Sequence, residues 1–153
     1  MAQTARPDAD GTITGWTDQA GGTTNLYATL DETTPSDADY VMSADNPTAA
    51  QRLRLRLSNV TDPVSSSGHS LNVRMQKSLS GGSTVTAELR IYQGGSTTLG
   101  AGTLIATFDG TDNSAMDNVP NGWTAYSFTL SAGETDAITD YTDLWVEIEA
   151  DQV

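Results

Sequence analysis

The chain has 153 residues, a formal charge of -13 and no cysteine. That is enough sequence for one domain with a real core, and it excludes a disulfide framework, thiol chemistry and the usual zinc sets. Strong acidity excludes direct binding to nucleic acid or to anionic membrane, because phosphate recognition needs a positive field.

Taken in chain order, the N-terminus Met1-Ala2-Gln3-Thr4-Ala5-Arg6-Pro7-Asp8 has no apolar segment of the kind that directs secretion, and no later run approaches a membrane span. Synthesis and folding in a cytoplasm are therefore expected, and the sequon Asn59-Val60-Thr61 reads as chance. Residues 1–10 are expected to be an extended arm, with residues 11–153 forming a single β-sandwich domain. Turn-forming clusters then divide the chain into nine extended segments: Thr12–Trp16, Leu26–Leu30, Tyr40–Ser43, Gln51–Leu57, Ser70–Lys77, Thr84–Gln93, Thr103–Phe108, Trp123–Leu130 and Asp143–Ala150. Asp45-Asn46-Pro47 is one of the dividing turns, and Gly81-Gly82, between two alternating runs, predicts a hairpin. The one helix candidate is Ser131–Ile138, where Ser131 and Glu134 have the spacing of a capping box. Abundant Thr and Ser with a single lysine, Lys77, also disfavour long surface helices. The predicted fold is all-β: a two-sheet antiparallel β-sandwich of jelly-roll type, with one short helix before the last strand.

The clearest local signal is Gln51-Arg52-Leu53-Arg54-Leu55-Arg56-Leu57. Strict alternation marks a strand with Leu53, Leu55 and Leu57 turned inward and Arg52, Arg54 and Arg56 turned outward in one row. The rest of the expected core is Leu71, Val73, Met75, Leu89, Ile91, Ile105, Phe128, Leu130, Leu144, Val146 and Ile148, with Trp16, Trp123 and Trp145 partly buried. Six of the seven basic residues lie between positions 52 and 90. They either pair internally with Glu88, Glu147 and Glu149 or form a basic patch that docks on an acidic protein, with Arg52, Arg54 and Arg56 as the candidate partner-binding residues.

Glu147 and Glu149 alternate on one strand, as in some two-carboxylate glycosidases, but an open strand face paired with arginine explains them equally. His69 stands near serines without a nucleophile elbow. Asp8 and Asp10 only loosely fit a calcium-loop spacing. Asp109, Asp112 and Asp117, with Asn113 and Asn118, are a denser set of oxygen ligands. They are the calcium candidates, although the same residues are ordinary turn formers. The catalytic set is read as none, with no organic cofactor.

Arg6-Pro7-Asp8-Ala9-Asp10, Gly15-Trp16-Thr17, Leu26-Tyr27-Ala28-Thr29-Leu30-Asp31-Glu32, Asp37-Ala38-Asp39-Tyr40-Val41 and Ala137-Ile138-Thr139-Asp140-Tyr141-Thr142-Asp143-Leu144 together resemble a pattern found in small phage and prophage proteins. The resemblance spans most of the chain, leaves out the arginine row and brings no catalytic residues. It implies a virion or virion-associated β-domain. The expectation is a non-enzymatic capsid decoration or cement protein, made in the bacterial host cytoplasm. Its expected partners are other virion proteins, above all the major capsid protein, and copies of itself. The alternative is a carbohydrate-binding module or tail-associated adhesin that holds a glycan with Trp and Tyr side chains, assisted by calcium at Asp109–Asn118.

Overall fold

The computed structural model describes residues 3–45, 47, 49–78 and 83–153. Its strands are β1 (Pro7–Thr14), β2 (Trp16–Asp18), β3 (Val41–Ser43), β4 (Gln51–Leu57), β5 (Ser70–Met75), β6 (Val85–Gln93), β7 (Thr103–Phe108), β8 (Thr124–Thr129) and β9 (Leu144–Gln152). A single-turn helix, α1 (Ala132–Asp136), precedes β9, and 3-10 turns occupy Leu26–Thr29 and Ser114–Met116. All strand pairs are antiparallel, and the predicted all-β sandwich with one short helix before the last strand is what the chain forms.

The larger sheet runs β1-β4-β9-β6-β7, opposed by the pair β5-β8, with β2-β3 as a third small ribbon. The pairs β4 with β9, β5 with β8 and β6 with β7 are nested along the chain, the winding that defines a jelly roll. Apolar residues meet across the central strands: Leu53 and Leu89 both face Ile148, and Leu55 and Ile91 both face Val146. Leu89, Ile91, Ile105 and Phe108 belong to a core that includes Phe128 of β8, stacked on Phe108 at a centroid distance of 5.0 Å. Toward β1 the layer over Leu53, Leu55 and Val146 is instead Trp16 and Leu26. Each such buried side chain contributes about 1.5–3 kcal/mol relative to exposure. Every aliphatic or Phe residue expected in the core is in one of these two clusters, buried or partly so.

Two expectations for the N-terminal third change. Residues 7–10 are not a free arm but the first half of β1, paired with β4 on the edge of the larger sheet. Leu26–Leu30 is a 3-10 turn rather than a strand, because the Asp10 carboxylate accepts the backbone N–H groups of Leu26 (3.1 Å) and Tyr27 (2.8 Å) and curls the chain around it. The capping box of α1 is formed: Ser131 Oγ accepts from Glu134 N, and Glu134 Oε2 accepts from Ser131 N at 2.7 Å. The Gly81-Gly82 hairpin, and Asn46 of the preceding turn cluster, lie outside the described residues.

Candidate functional site on the charged face of the larger sheet

Antiparallel pairing sets the charged side chains of three strands in rows. Arg52 of β4 lies opposite Glu149 of β9, which lies opposite Glu88 of β6; one pair along, Arg54 faces Glu147, which faces Arg90. The result is a continuous ladder of ion pairs: Arg52 to Glu149 at 2.9 Å, Glu149 to Arg90 at 2.8 Å, and Arg90 to Glu88 at 2.7 Å. Arg56 lies beyond it and grips Asp8 of β1 with two parallel bonds of 2.8 and 2.9 Å.

Arg54 corrects the expected outward row. Its side chain is 0% exposed and its partner Glu147 is 1% exposed. The alternation did place it on the polar face, but residues 94–102, between β6 and β7, fold back over that face as a strap. The guanidinium donates to Glu147 Oε1 at 2.6 Å and to the carbonyls of Ser96 (3.0 Å), Gly94 (3.0 Å) and Ala101 (2.9 Å), and it lies over the rings of Tyr92 and Trp145, 5.0 and 4.9 Å from their centroids. Glu147 Oε1 also accepts the N–H of Gly100 at 2.6 Å, while Glu147 Oε2 has no protein partner. The Thr12 N–H and hydroxyl hold the strap at its middle through the Thr97 carbonyl. Gly11 makes this closeness feasible: a Cβ there would stand only 3.0–3.1 Å from Arg54 and from the Thr97 carbonyl. Arg54 is therefore removed from the surface and cannot contact a partner. Arg52 and Arg56 retain 40% and 44% exposure of their side chains, each already paired.

The remaining cations are engaged as well. Arg74 clasps Asp37 at 2.5 and 2.7 Å, and this bonding holds Asp37 below the ordinary carboxylate range. Lys77 reaches Asn118 Oδ1 at 2.6 Å, and Arg6 donates to the Glu32 carbonyl at 3.1 Å. Among the described residues, ion pairs engage only five carboxylates of the twenty in the chain. The outer surface is thus acidic with its positive charges internally committed.

The calcium candidates serve their own loop. Asp109 Oδ1 accepts both the N–H and the hydroxyl of Thr111 at 2.7 Å, which lowers its pKa, and Asp112 Oδ2 accepts the Asp109 N–H at 3.1 Å. The Asp117 carboxylate lies against Gly110. Among the described residues no group of three His, Asp or Glu side chains is placed to hold a metal ion. Asp8 and Asp10 hold Arg56 and the Leu26–Thr29 turn, and His69 Nε2 lies 2.9 Å from the Tyr141 hydroxyl. Trp16 and Trp145 are buried, whereas Trp123 is half-buried edge-on against Tyr40 at 5.6 Å, and no described aromatic is exposed.

The strap is the site element that strand periodicity does not reveal. Its signal is glycine density, Gly94-Gly95 and Gly100-Ala101-Gly102 bracketing four residues, far more than a tight hairpin needs. No family model, curated protein or solved structure matches the chain.

Proposed function

We propose that this chain is a non-enzymatic structural protein of a phage virion, decorating or cementing the exterior of the capsid. The observation that supports the non-enzymatic, structural half is the commitment of its positive charges: Arg54 is sealed with Glu147 under the strap, and the other arginines of the larger sheet are tied to acids. Support for the virion half comes from the resemblance to small phage proteins. Its residues are building residues here: Arg6 reaches Glu32, Asp8 holds Arg56, Asp10 curls the Leu26–Thr29 turn, and Asp37 clasps Arg74. A side-chain pattern devoted to bracing one sandwich is suited to a module that is displayed rather than one that turns over a substrate.

The test is mass spectrometry of purified particles, followed by immunogold labelling of intact ones. Stoichiometric recovery with label on the capsid shell is the expected result. Absence from particles overturns the reading, and label confined to the tail would replace it with the adhesin alternative.

A further inference from the structure

The loop between β4 and β5 carries a backbone outlier that nothing inside the domain explains. Val64 has a φ of 52°, in the left-handed region, and the residue is 89% exposed. Among the described residues the other positive φ values belong to seven glycines, Asn25 and Ser96, so Val64 is the one β-branched residue held this way. A branched Cβ is strained there, which is why Gly and Asn usually fill such positions. Its exposure also exceeds that of every other large apolar residue described, the next being Val153 at 73%. With the side chain in open solvent, no packing within the domain offsets the strain. A strained conformation with no internal compensation points to a role outside the fold. We infer that Val64, with Pro63 beside it, is an apolar knob that enters an apolar pocket on the protein surface to which the domain docks.

The loop holds that knob in a fixed place. The Val64 N–H donates to Asp62 Oδ1 at 2.7 Å, and the Pro63 ring fixes the backbone between them. Ser65 Oγ donates to the Ser67 carbonyl at 3.1 Å and accepts the Ser67 N–H at 3.3 Å. At the base of the loop the Gln3 side chain bonds both backbone groups of Thr61, at 2.8 and 2.9 Å, and the Val60 N–H reaches the Tyr141 carbonyl at 3.3 Å. A tip ordered in advance loses little entropy on docking. Chemistry then selects the occupant. The tip offers an isopropyl group and a pyrrolidine ring, with no aromatic face for a sugar and no cation for a phosphate. The charge of -13 opposes an anionic membrane, and two small apolar residues bury too little area to hold a neutral one. A cavity beside the larger sheet is lined by Glu88, Asp109, Asp117, Glu149 and Asp151, so it cannot receive an apolar group from a second copy. An apolar pocket in a different protein is the host that suits the tip. The inference rests on the docking reading proposed above and supplies it with a contact, which the committed arginines do not.

Stability and binding should move in opposite directions at this one position. Asn tolerates the left-handed region and is polar, so Val64→Asn should raise the melting temperature of the purified full chain. Wild type and variant are then co-expressed, and their ratio on purified particles is read by mass spectrometry. The Asn variant should be outcompeted about tenfold or more, the effect of withdrawing two methyl groups from an apolar pocket. Val64→Thr keeps the shape and the strain but loses apolar surface, so it should melt with the wild type and still lose occupancy. Equal occupancy for the Asn variant, or a melting temperature that does not rise, overturns the inference and leaves the virion reading intact. A wild-type dimer in sedimentation that Val64→Asn disperses would assign the knob to a second copy. Retention of the wild type alone by phosphatidylcholine vesicles would assign it to lipid. Either result overturns the inference as well. A wild type missing from particles defeats the virion reading itself, and the docking partner with it.

Discussion

Arg54 and Glu147 show what a single buried pair commits a domain to. Removing one partner leaves the other charge buried and uncompensated, which typically costs about 3–5 kcal/mol. Arg54→Met should therefore lower the melting temperature sharply. Arg54→Met/Glu147→Leu should melt higher than the sum of the single effects predicts, although the carbonyls of Gly94, Ser96 and Ala101 lose a donor in either background. A double-mutant cycle read by denaturant unfolding checks this, and simple additivity would refute the coupling. Glu32 makes the opposite case: burial, together with the neighbouring Asp39, raises its pKa, and its Oε1 has no partner. A carboxyl whose pKa is raised in the fold favours the folded state only below its unfolded value, and that contribution is lost as pH climbs through the folded value. Glu32→Gln should thus stabilise the domain at pH 7 and have little effect below about pH 4, near where unfolded carboxyls protonate. Thermal melts at both pH values decide it. Asp37 and Asp109 run the other way: their lowered values favour folding at neutral pH, and that advantage disappears in acid. Arg54 also marks the limit of reading residues from a strand pattern. Alternation reports which face a side chain leaves from, and says nothing about a segment forty residues later that returns to cover it.

Elements whose side chains obey a single period were legible from the sequence. β4 and β7 have the predicted bounds, Gln51–Leu57 and Thr103–Phe108, and α1 starts at its predicted cap. The Leu26–Thr29 turn was not legible, since its shape depends on Asp10, sixteen residues upstream, rather than on its own hydrophobicity. Neither was the strap, which has no apolar stripe and is held by backbone groups. Its integrity depends on Gly95, at a φ of 85°, where a Cβ would overlap the backbone of Ala101 and Gly102. Gly95→Ala should cost more than the roughly 1–2 kcal/mol of a left-handed non-glycine residue. Hydrogen exchange should then accelerate at Gly100, whose N–H is bonded to Glu147, while β9 and β6 keep their protection. Uniform loss of protection across the sheet would mean that the strap and sheet unfold as one unit.

At the scale of the whole molecule, acidic residues outnumber basic ones by nearly three to one, so the summed Coulomb energy of the folded surface is repulsive. The melting temperature should rise with sodium chloride, because screening relieves repulsion among the unpaired carboxylates while the Arg54–Glu147 pair lies beyond its reach. A fall with salt would show that the exposed pairs of the ladder dominate. Arg52→Ser/Arg56→Ser removes only surface pairs worth about 0–1 kcal/mol each, so the fold should survive with a small loss. Particle occupancy should be unchanged, and a sharp fall with an intact fold would return the docking role to the arginine row.

The position of β9 has a consequence for biosynthesis. It follows every other described strand in chain order, yet it occupies the middle of the larger sheet, between β4 and β6. A nascent chain halted before Leu144 would hold two half-sheets, β1-β4 and β6-β7, each with a freshly open edge. Such edges recruit strands from other chains. Until the ribosome delivers β9, self-association competes with folding, and the long sequence separation between β4 and β9 makes closure slow. Premature termination in this domain should therefore yield aggregates rather than a shortened but functional module.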